Sequence, residues 1–347
     1  MKSSPPDGLT QAGSISDETW REAVAAGKSL LESGPDVGTL LRETQGWLVA
    51  LLRSGALSSS ERVEAGNILA EIGDPRFRAD AFYLPDEPLL GFVEIPAGSF
   101  MMGEGQQRHE VTLPTFYIGR YHVTVAQFRA FVEESGVEPG TPDTLRGRAN
   151  HPVVWVSWYE ARKYCEWLTR KLAGLSLKDD MTEREQLFWQ RLRRGSAVVT
   201  LPSETEWEKA ARGEEGSTYP WGDEIDSGRA NYRDTGIGTT SPVGCFPAGL
   251  SPYGVADMSG NAWNWMRSLM GRDLKELEFG YPYDPSDGRE NLDAEPEVLR
   301  GMRGGAFTVE PERARSTFRD GVPPSGRDDA DGFRVVVTSV TSKREEG

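Results

Sequence analysis

Glycine and proline break this chain so often that few long elements fit between them. There are 39 Gly and 22 Pro among 347 residues. Each Gly weakens a helix or strand interior, and each Pro removes a backbone donor. Between the breaks lie 10 Trp, 13 Phe and 10 Tyr. Large rings carried on short strands and turns suit that mixture better than a helical bundle, so a loop-rich fold is expected. With 37% hydrophobic residues the core is ample, and the length allows two domains or one large domain with an appendage.

Acidic residues outnumber basic ones by 54 to 39, for a net charge of -15. That sign opposes attraction to phosphate backbones and anionic lipid, so nucleic acid is not an expected partner. It also supplies oxygen ligands for hard cations such as calcium. The opening MKSSPPDGLTQAGS has no apolar signal core, and no run approaches the roughly 18 to 20 apolar residues of a membrane span. A cytoplasmic protein without a membrane span is expected. Cys165 and Cys245, the only cysteines, are too few for a disulfide framework and lack the spacing of a metal knuckle. Two buried thiols account for them, with a single bridge as the alternative.

Residues 1–15 are polar and rich in Ser, Pro and Gly, as in a flexible tail. Residues 16–90 read as a helical unit and its linker. SDETWREAVAAGKSLLE offers Ser16 or Asp17 as N-cap and places Trp20, Val24, Leu30 and Leu31 near one face. A second helix runs to Gly55, and a third, SSERVEAGNILAEIG, stops at Gly73 before Pro75. Such a unit packs on the main domain, oligomerises, or docks a partner protein, and nothing in its residues selects between these. The texture then changes to short strands, FVEIPAG, SFMMGE, HEVTLP and FYIGRYHV. Helices interrupt them: TVAQFRAFVEESG capped by Thr124, VSWYEARKYCEWLTRKL with apolar Trp158, Tyr164, Cys165 and Leu168, and SETEWEKAARG with a capping box from Ser203 to Glu206. SLKDDMTEREQLFWQRLRRG reads as an inserted, mostly exposed helix. Residues 220–270 read as loop-dominated, with DTGIG, SPVG, SPYG and MSGN as turns, and strands return from VLRGMRGGAF onward.

Taken in order, FVEIPAGSFMMG, HPVVWVSWYEARKYCEWL, LPSETEWEKAARG, YPWGDE, ANYRDTGIG, SPVGCFPAG, YGVADMSGNAWNW, RGGAF and GFRVV resemble the formylglycine-generating-enzyme, or sulfatase-modifying-factor, family. The resemblance covers about residues 91–337. It implies an α+β, C-type-lectin-like fold of the formylglycine-generating-enzyme type over residues 91–340, loop-rich and preceded by the N-terminal helical unit. It also implies structural calcium. In ANYRDTGIG the matching ligands are Asn231 and Asp234 through side chains, with Tyr232 and Gly236 through carbonyls. In DMSGNAWNW they are Asp257, Gly260, Ala262 and Asn264. Relatives carry Glu at the last of these positions, so the second site lacks one anionic ligand. Plain turn chemistry is the competing account of both stretches.

The family's oxidase chemistry rests on two copper-binding cysteine thiolates after the GG of RGGAF. Here those positions fall on Val309 and Ala314, which cannot ligate a soft metal. The related iron-dependent sulfoxide synthases need three histidines, two of them one helical turn apart. His109, His122 and His151 lack that spacing, and Ser203, Ser241 and Ser259 have turn or capping explanations. The expectation is a binding protein rather than an enzyme, with no catalytic residue and no catalytic cofactor.

The stretch 303–337 resembles the variable region of bacterial target proteins of diversity-generating retroelements. In those proteins the framework words, here RGG, ARS, Arg319, Arg327 and GFR, are fixed, and adenine-directed mutagenesis rewrites residues between them. The positions carried over are Phe307, Thr308, Val309, Phe318, Asp320, Val322, Gly326, Asp328, Asp329 and Asp331. All of these residue types are reachable from asparagine codons by changing adenines only. Exposed loops and one strand face are expected to carry them, with Phe307 and Phe318 as aromatic anchors. The implied function is non-catalytic binding of a variable ligand, in the first instance a protein. The alternatives are a metal-dependent oxidase of the formylglycine type and an invariant sensor or scaffold that recruits a partner through the N-terminal helices.

Overall fold

The computed structural model describes residues 15–33, 38–175 and 181–340, so the expected tail lies outside the described residues except at its last position. Helices α1 (Asp17–Ser33), α2 (Gly38–Ser54) and α3 (Ser59–Ile72) pack on one another. α1 buries Trp20, Val24 and Leu30, and Gly27 between them lets α3 come close: a Cβ there would meet Ile68 Cγ2 at 2.7 Å. Leu31 was expected on this face but is 45% exposed, because the buried stripe steps through Gly27 to Leu30 and leaves its neighbour outside. α3 starts at a capping box in which Ser58 Oγ accepts from Glu61 N and the Glu61 carboxylate accepts from Ser58 N.

The helical unit is packed against its own chain. Cys245 and Phe246 join its apolar cluster. Buried Arg62 donates to the carbonyls of Gly55, Leu57, Gly228 and Cys245. Arg62→Ala leaves these carbonyls without their donor, and the expected cost is about 2 to 3 kcal/mol, read from the urea midpoint. An unchanged midpoint would show that the unit is held by apolar contact alone.

The chain continues through β1 (Phe77–Arg78), β2 (Leu84–Pro85), β3 (Phe92–Ile95), β4 (Gly98–Met102), β5 (His109–Leu113) and β6 (Phe116–Gly119). α4 (Val125–Ser135), α5 (Trp158–Ala173), α6 (Glu183–Arg193), β7 (Ala197–Thr200) and α7 (Glu204–Arg212) follow. Thr124, Ser157 and Ser203 each close a capping box, at α4, α5 and α7. The last third adds β8 (Trp263–Gly271), β9 (Leu299–Arg303), β10 (Asp320–Val322), β11 (Asp331–Gly332) and β12 (Val336–Ser339). Two four-stranded sheets result, ordered β3-β6-β12-β7 and β10-β9-β8-β11. β12 inserts between β6 and β7, with Val336 opposite both Ile118 and Thr200, so the end of the domain locks its beginning. β11 pairs parallel to β8, placing Asp331 opposite Trp263.

Fully buried Trp158 and Trp265 knit the second sheet to α5. The indole of Trp158 donates to Met266 O at 3.0 Å, and that of Trp265 to Val156 O at 2.8 Å. α6 is mostly exposed, as expected, and is anchored by buried Phe188, Trp189 and Leu192, with Phe188 against Tyr117 and Phe92. Its charges occupy only the outer face. The loop-dominated stretch ends in a strand that was not singled out: residues 263–271 form the longest strand among the described residues, buried on both faces, so no apolar-polar alternation marks it. Among the described residues no helix is long and apolar enough to cross a membrane.

Candidate ligand-binding surface

Arginines hold the C-terminal stretch from below. Arg303, fully buried at the end of β9, donates to Glu208 Oε2 at 2.5 Å and to the carbonyls of Ser316 and Phe318 at 3.2 and 3.1 Å. Glu208 also accepts from Gly103 N and Arg212 Nη1. Arg319 grips Glu204 with two bonds, 2.7 and 2.5 Å long. Burial pushes the Glu204 carboxyl up, but Arg319 and Arg303 beside it more than offset that and leave it below the ordinary range. Arg327 donates to Glu160 Oε2 at 2.9 Å. Arg334 donates to the carbonyls of Gly119, Arg120, Ala256 and Asp257 and to Asn264 Oδ1. Glu204 and Glu208 lie one turn apart on α7, yet in the sequence such a pair reads as a solvated face, and only Ser203 and Glu206 stand out as a cap.

Among the positions between these anchors, Thr308, Asp328 and Asp329 are exposed, while Phe318, Asp320, Val322 and Gly326 are half-buried. Phe307, Val309 and Asp331 are not the exposed residues expected; none exceeds 8% exposure. The segment after the double glycine folds back on the domain. Phe307 N donates to Asn261 O and Val309 O accepts from Arg233 N, which turns both side chains into the main core. Phe307 is thus a core ring, and Phe318 is the aromatic that reaches the surface.

Asp331 lies on β11 in an acidic neighbourhood. Burial first, then the charges of Asp328, Asp320 and Asp329, push its carboxyl up to about 7. Among the described residues it accepts no hydrogen bond and forms no ion pair, although it is only 6% exposed. The rings of Trp263 and Phe318 stand 6.1 Å apart. Arg313 lies over both, 5.6 and 5.2 Å from their centroids, and pairs with Asp320. Neither Trp263 nor Arg313 carries a sequence signal, since their meeting depends on β8 and the 311–314 turn coming together.

The calcium stretches differ from each other. In the first, Asn231 is buried, its Nδ2 donates to Thr239 O, and its Oδ1 has no donor. An orphaned buried oxygen of this kind suits a hard cation. Asp234 and Gly236 are exposed, and Tyr232 O accepts from Thr235 N. The second set, Asp257, Gly260, Ala262 and Asn264, does not fit a cation. Asp257 accepts from Gly244 N, Ala262 O accepts from His122 Nε2, and Asn264 Oδ1 accepts from the Arg334 guanidinium. A fixed side-chain cation already stands there. Gly260 is needed for close approach instead: at φ +77° a Cβ would meet Asn231 O at 2.2 Å.

Val309 and Ala314, where the family's thiolates would stand, do come together. A Cβ on Gly305 would meet Arg313 O at 2.9 Å and Ala314 Cα and Val309 Cγ2, both at 3.0 Å, so the two positions meet there with no sulfur between them. Cys165 and Cys245 are free and buried elsewhere. Burial pushes the Cys245 thiol up to about 12 and that of Cys165 higher still. Iodoacetamide at pH 8 is expected to leave both unlabelled in the folded protein and to label both in urea; rapid labelling without urea would contradict that burial. The histidines are structural. His122 donates to Ala262 O and burial keeps it neutral, while burial pushes His151 down to about 3 between Asn67 and Thr240. His109 Nε2 accepts from Tyr283 N.

Short twisted sheets, long loops and an arginine-anchored C-terminal face define the class: an α+β domain with the C-type-lectin-like fold of formylglycine-generating enzymes. Residues 79–339 match the family model described as the sulfatase-modifying factor enzyme 1-like domain, and the chain belongs to that family. Serine/threonine-protein kinase pkn1 of Chlamydia caviae is 30% identical over 283 residues, 73% of this chain but 38% of the kinase, so the chain spans about two-fifths of that relative. The formylglycine-generating enzyme of Mycobacterium tuberculosis is 27% identical, covering 73% of this chain and 99% of the enzyme. Inactive C-alpha-formylglycine-generating enzyme 2 of Mus musculus is also 27% identical, covering 73% and 87%. Among solved structures, Treponema denticola variable protein 1 shares the fold with a TM-score of 0.53 at 23% identity, over 71% of this chain and 94% of that protein.

Proposed function

We propose that this chain is a non-catalytic ligand-binding protein whose C-terminal surface is diversified by a retroelement. The observation that carries the reading is the division of labour within 303–334. Arg303, Arg319, Arg327 and Arg334 hold the backbone through partners outside the stretch or through carbonyls. None of them is a candidate variable position, and Thr308, Asp328 and Asp329 between them face solvent. Side chains there change without disturbing the anchors. The fold shared with a variable protein and the existence of an inactive relative support this reading. So do the side chains of Val309 and Ala314, which offer no thiolate for oxidase chemistry.

The variable ligand is in the first instance a protein, met in the cytoplasm, and nucleic acid is disfavoured by the charge of -15. Deep sequencing of the 3′ end of the gene across a population tests the proposal. Changes clustered at adenine-derived positions of codons 307–331, above a silent upstream region, would support it. Uniform sequence, with no near-copy template and no reverse transcriptase nearby, would overturn it.

Structural calcium belongs to the same proposal at the first stretch alone, supported by the unpaired Asn231 Oδ1. Calcium added after EDTA treatment is expected to raise the melting temperature by a few degrees in the natural protein and not in Asn231→Ala. Equal melting with and without calcium would remove the ion from the account.

A further inference from the structure

We propose that the patch formed by Asp331, Asp320, Asp328 and Asp329 with the rings of Trp263 and Phe318 takes an organic cation, a guanidinium or primary ammonium group. Arg313 is then the chain's own stand-in for that group. The inference rests on the surface being a binding site and names the chemistry this version of it would recognise.

Two independent observations point to a ligand. Asp331 is only 6% exposed and has no donor among the described residues. A buried carboxylate without a donor is costly, so a cation arriving from outside gains a partner that nothing in the chain supplies. Arg313 shows which cation the rings accept. Its guanidinium lies within 5.6 Å of both ring centroids and pairs with Asp320, while its side chain stays 47% exposed and so is free to leave. That pairing leaves Asp331 open.

A metal ion fits less well. Among the described residues no three His, Cys, Asp or Glu side chains are placed to hold one. Ring faces, moreover, add nothing to oxygen coordination of a hard cation but do attract a guanidinium or ammonium. Asp320, Asp328, Asp329 and Asp331 are all candidate variable positions, so the cation preference is a property of this version of the surface.

The test is isothermal titration of the full chain with Nα-acetyl-argininamide and with its uncharged isostere Nα-acetyl-citrullinamide. Arg313→Ala is expected to bind the arginine probe about tenfold more tightly than the natural chain, because the stand-in is gone. Asp331→Asn is expected to lose binding while melting no lower than the natural protein. Equal binding of the two probes, or an Arg313→Ala chain that melts normally yet binds the arginine probe no better, would overturn the inference. Either failure leaves the diversification reading to be decided by population sequencing, so the two fail separately.

Discussion

Glu208→Ala is expected to lower stability by about 3 to 5 kcal/mol, the largest single effect anticipated for this protein. Glu208 is fully buried and accepts from Arg303, Arg212 and Gly103 N. Removing it takes a buried carboxylate from two buried guanidinium groups, leaving Arg303 with Glu204 and carbonyls and Arg212 with carbonyls alone. In this size range that corresponds to a fall of about 10 °C in melting temperature. Glu204→Ala acts on the same Arg303, as well as on Arg319, so the double variant should cost less than the two single losses added together. Asp329→Ala or Thr308→Ala, on the exposed positions, should stay within about 0.5 kcal/mol. Urea denaturation of these five variants tests the separation of frame from surface. A loss under 1 kcal/mol at Glu208 would show that the arginines do not hold the stretch.

Asp331→Asn is expected to stabilise the protein at pH 8 by roughly 2 to 4 kcal/mol, the second-largest effect. The Asp331 carboxyl is raised to about 7 in the fold by burial and by Asp328, Asp320 and Asp329. Unfolded, it titrates near 4. Between these values the folded state holds the extra proton, so this group's contribution is fully present below about pH 4 and lost as pH rises through about 7. Asparagine cannot ionise and removes that loss. The measurement is the difference in unfolding free energy between natural chain and variant at pH 5 and pH 8. A difference that does not grow toward pH 8 would mean that Asp331 is not held in a charged, donor-poor site.

The elements legible in the sequence share one property, that their signals are local. The N-cap at Thr124 and the box at Ser203 need only a hydroxyl and a residue three positions on; both form, and Thr124 closes a full box with Gln127. FVEI, HEVTL and FYIG carry their strand character in a few residues and become β3, β5 and β6. β8 was illegible because both of its faces are buried and polar Asn264 and Ser268 are buried with the apolar residues, so no alternation shows. The exposure of α6 was legible in its charges, while the three apolar residues that anchor it were not singled out. Part of the candidate surface was legible, in the arginine words and in exposed Thr308, Asp328 and Asp329. Phe307 and Val309 were misplaced because the chain reverses after Gly305, and no spacing shows where a reversed segment lands.

The sequence by itself determined the short-strand architecture, the helix caps, the family, and the absence of sulfur at Val309 and Ala314. These follow from residue identity and from neighbours a few positions away, where capping, turn chemistry and ligand chemistry act. Only the tertiary structure decided that Arg334 occupies the oxygens of the second calcium stretch, that Asp331 is buried without a donor, and that Arg313 lies over Trp263 and Phe318. Burial and ion pairing are properties of groups brought together from afar. Arg303 and Glu208 are 95 residues apart, and Arg334 and Asn264 are 70 apart. A charge in the sequence is neutral information until the fold sets its distance from another charge and from water.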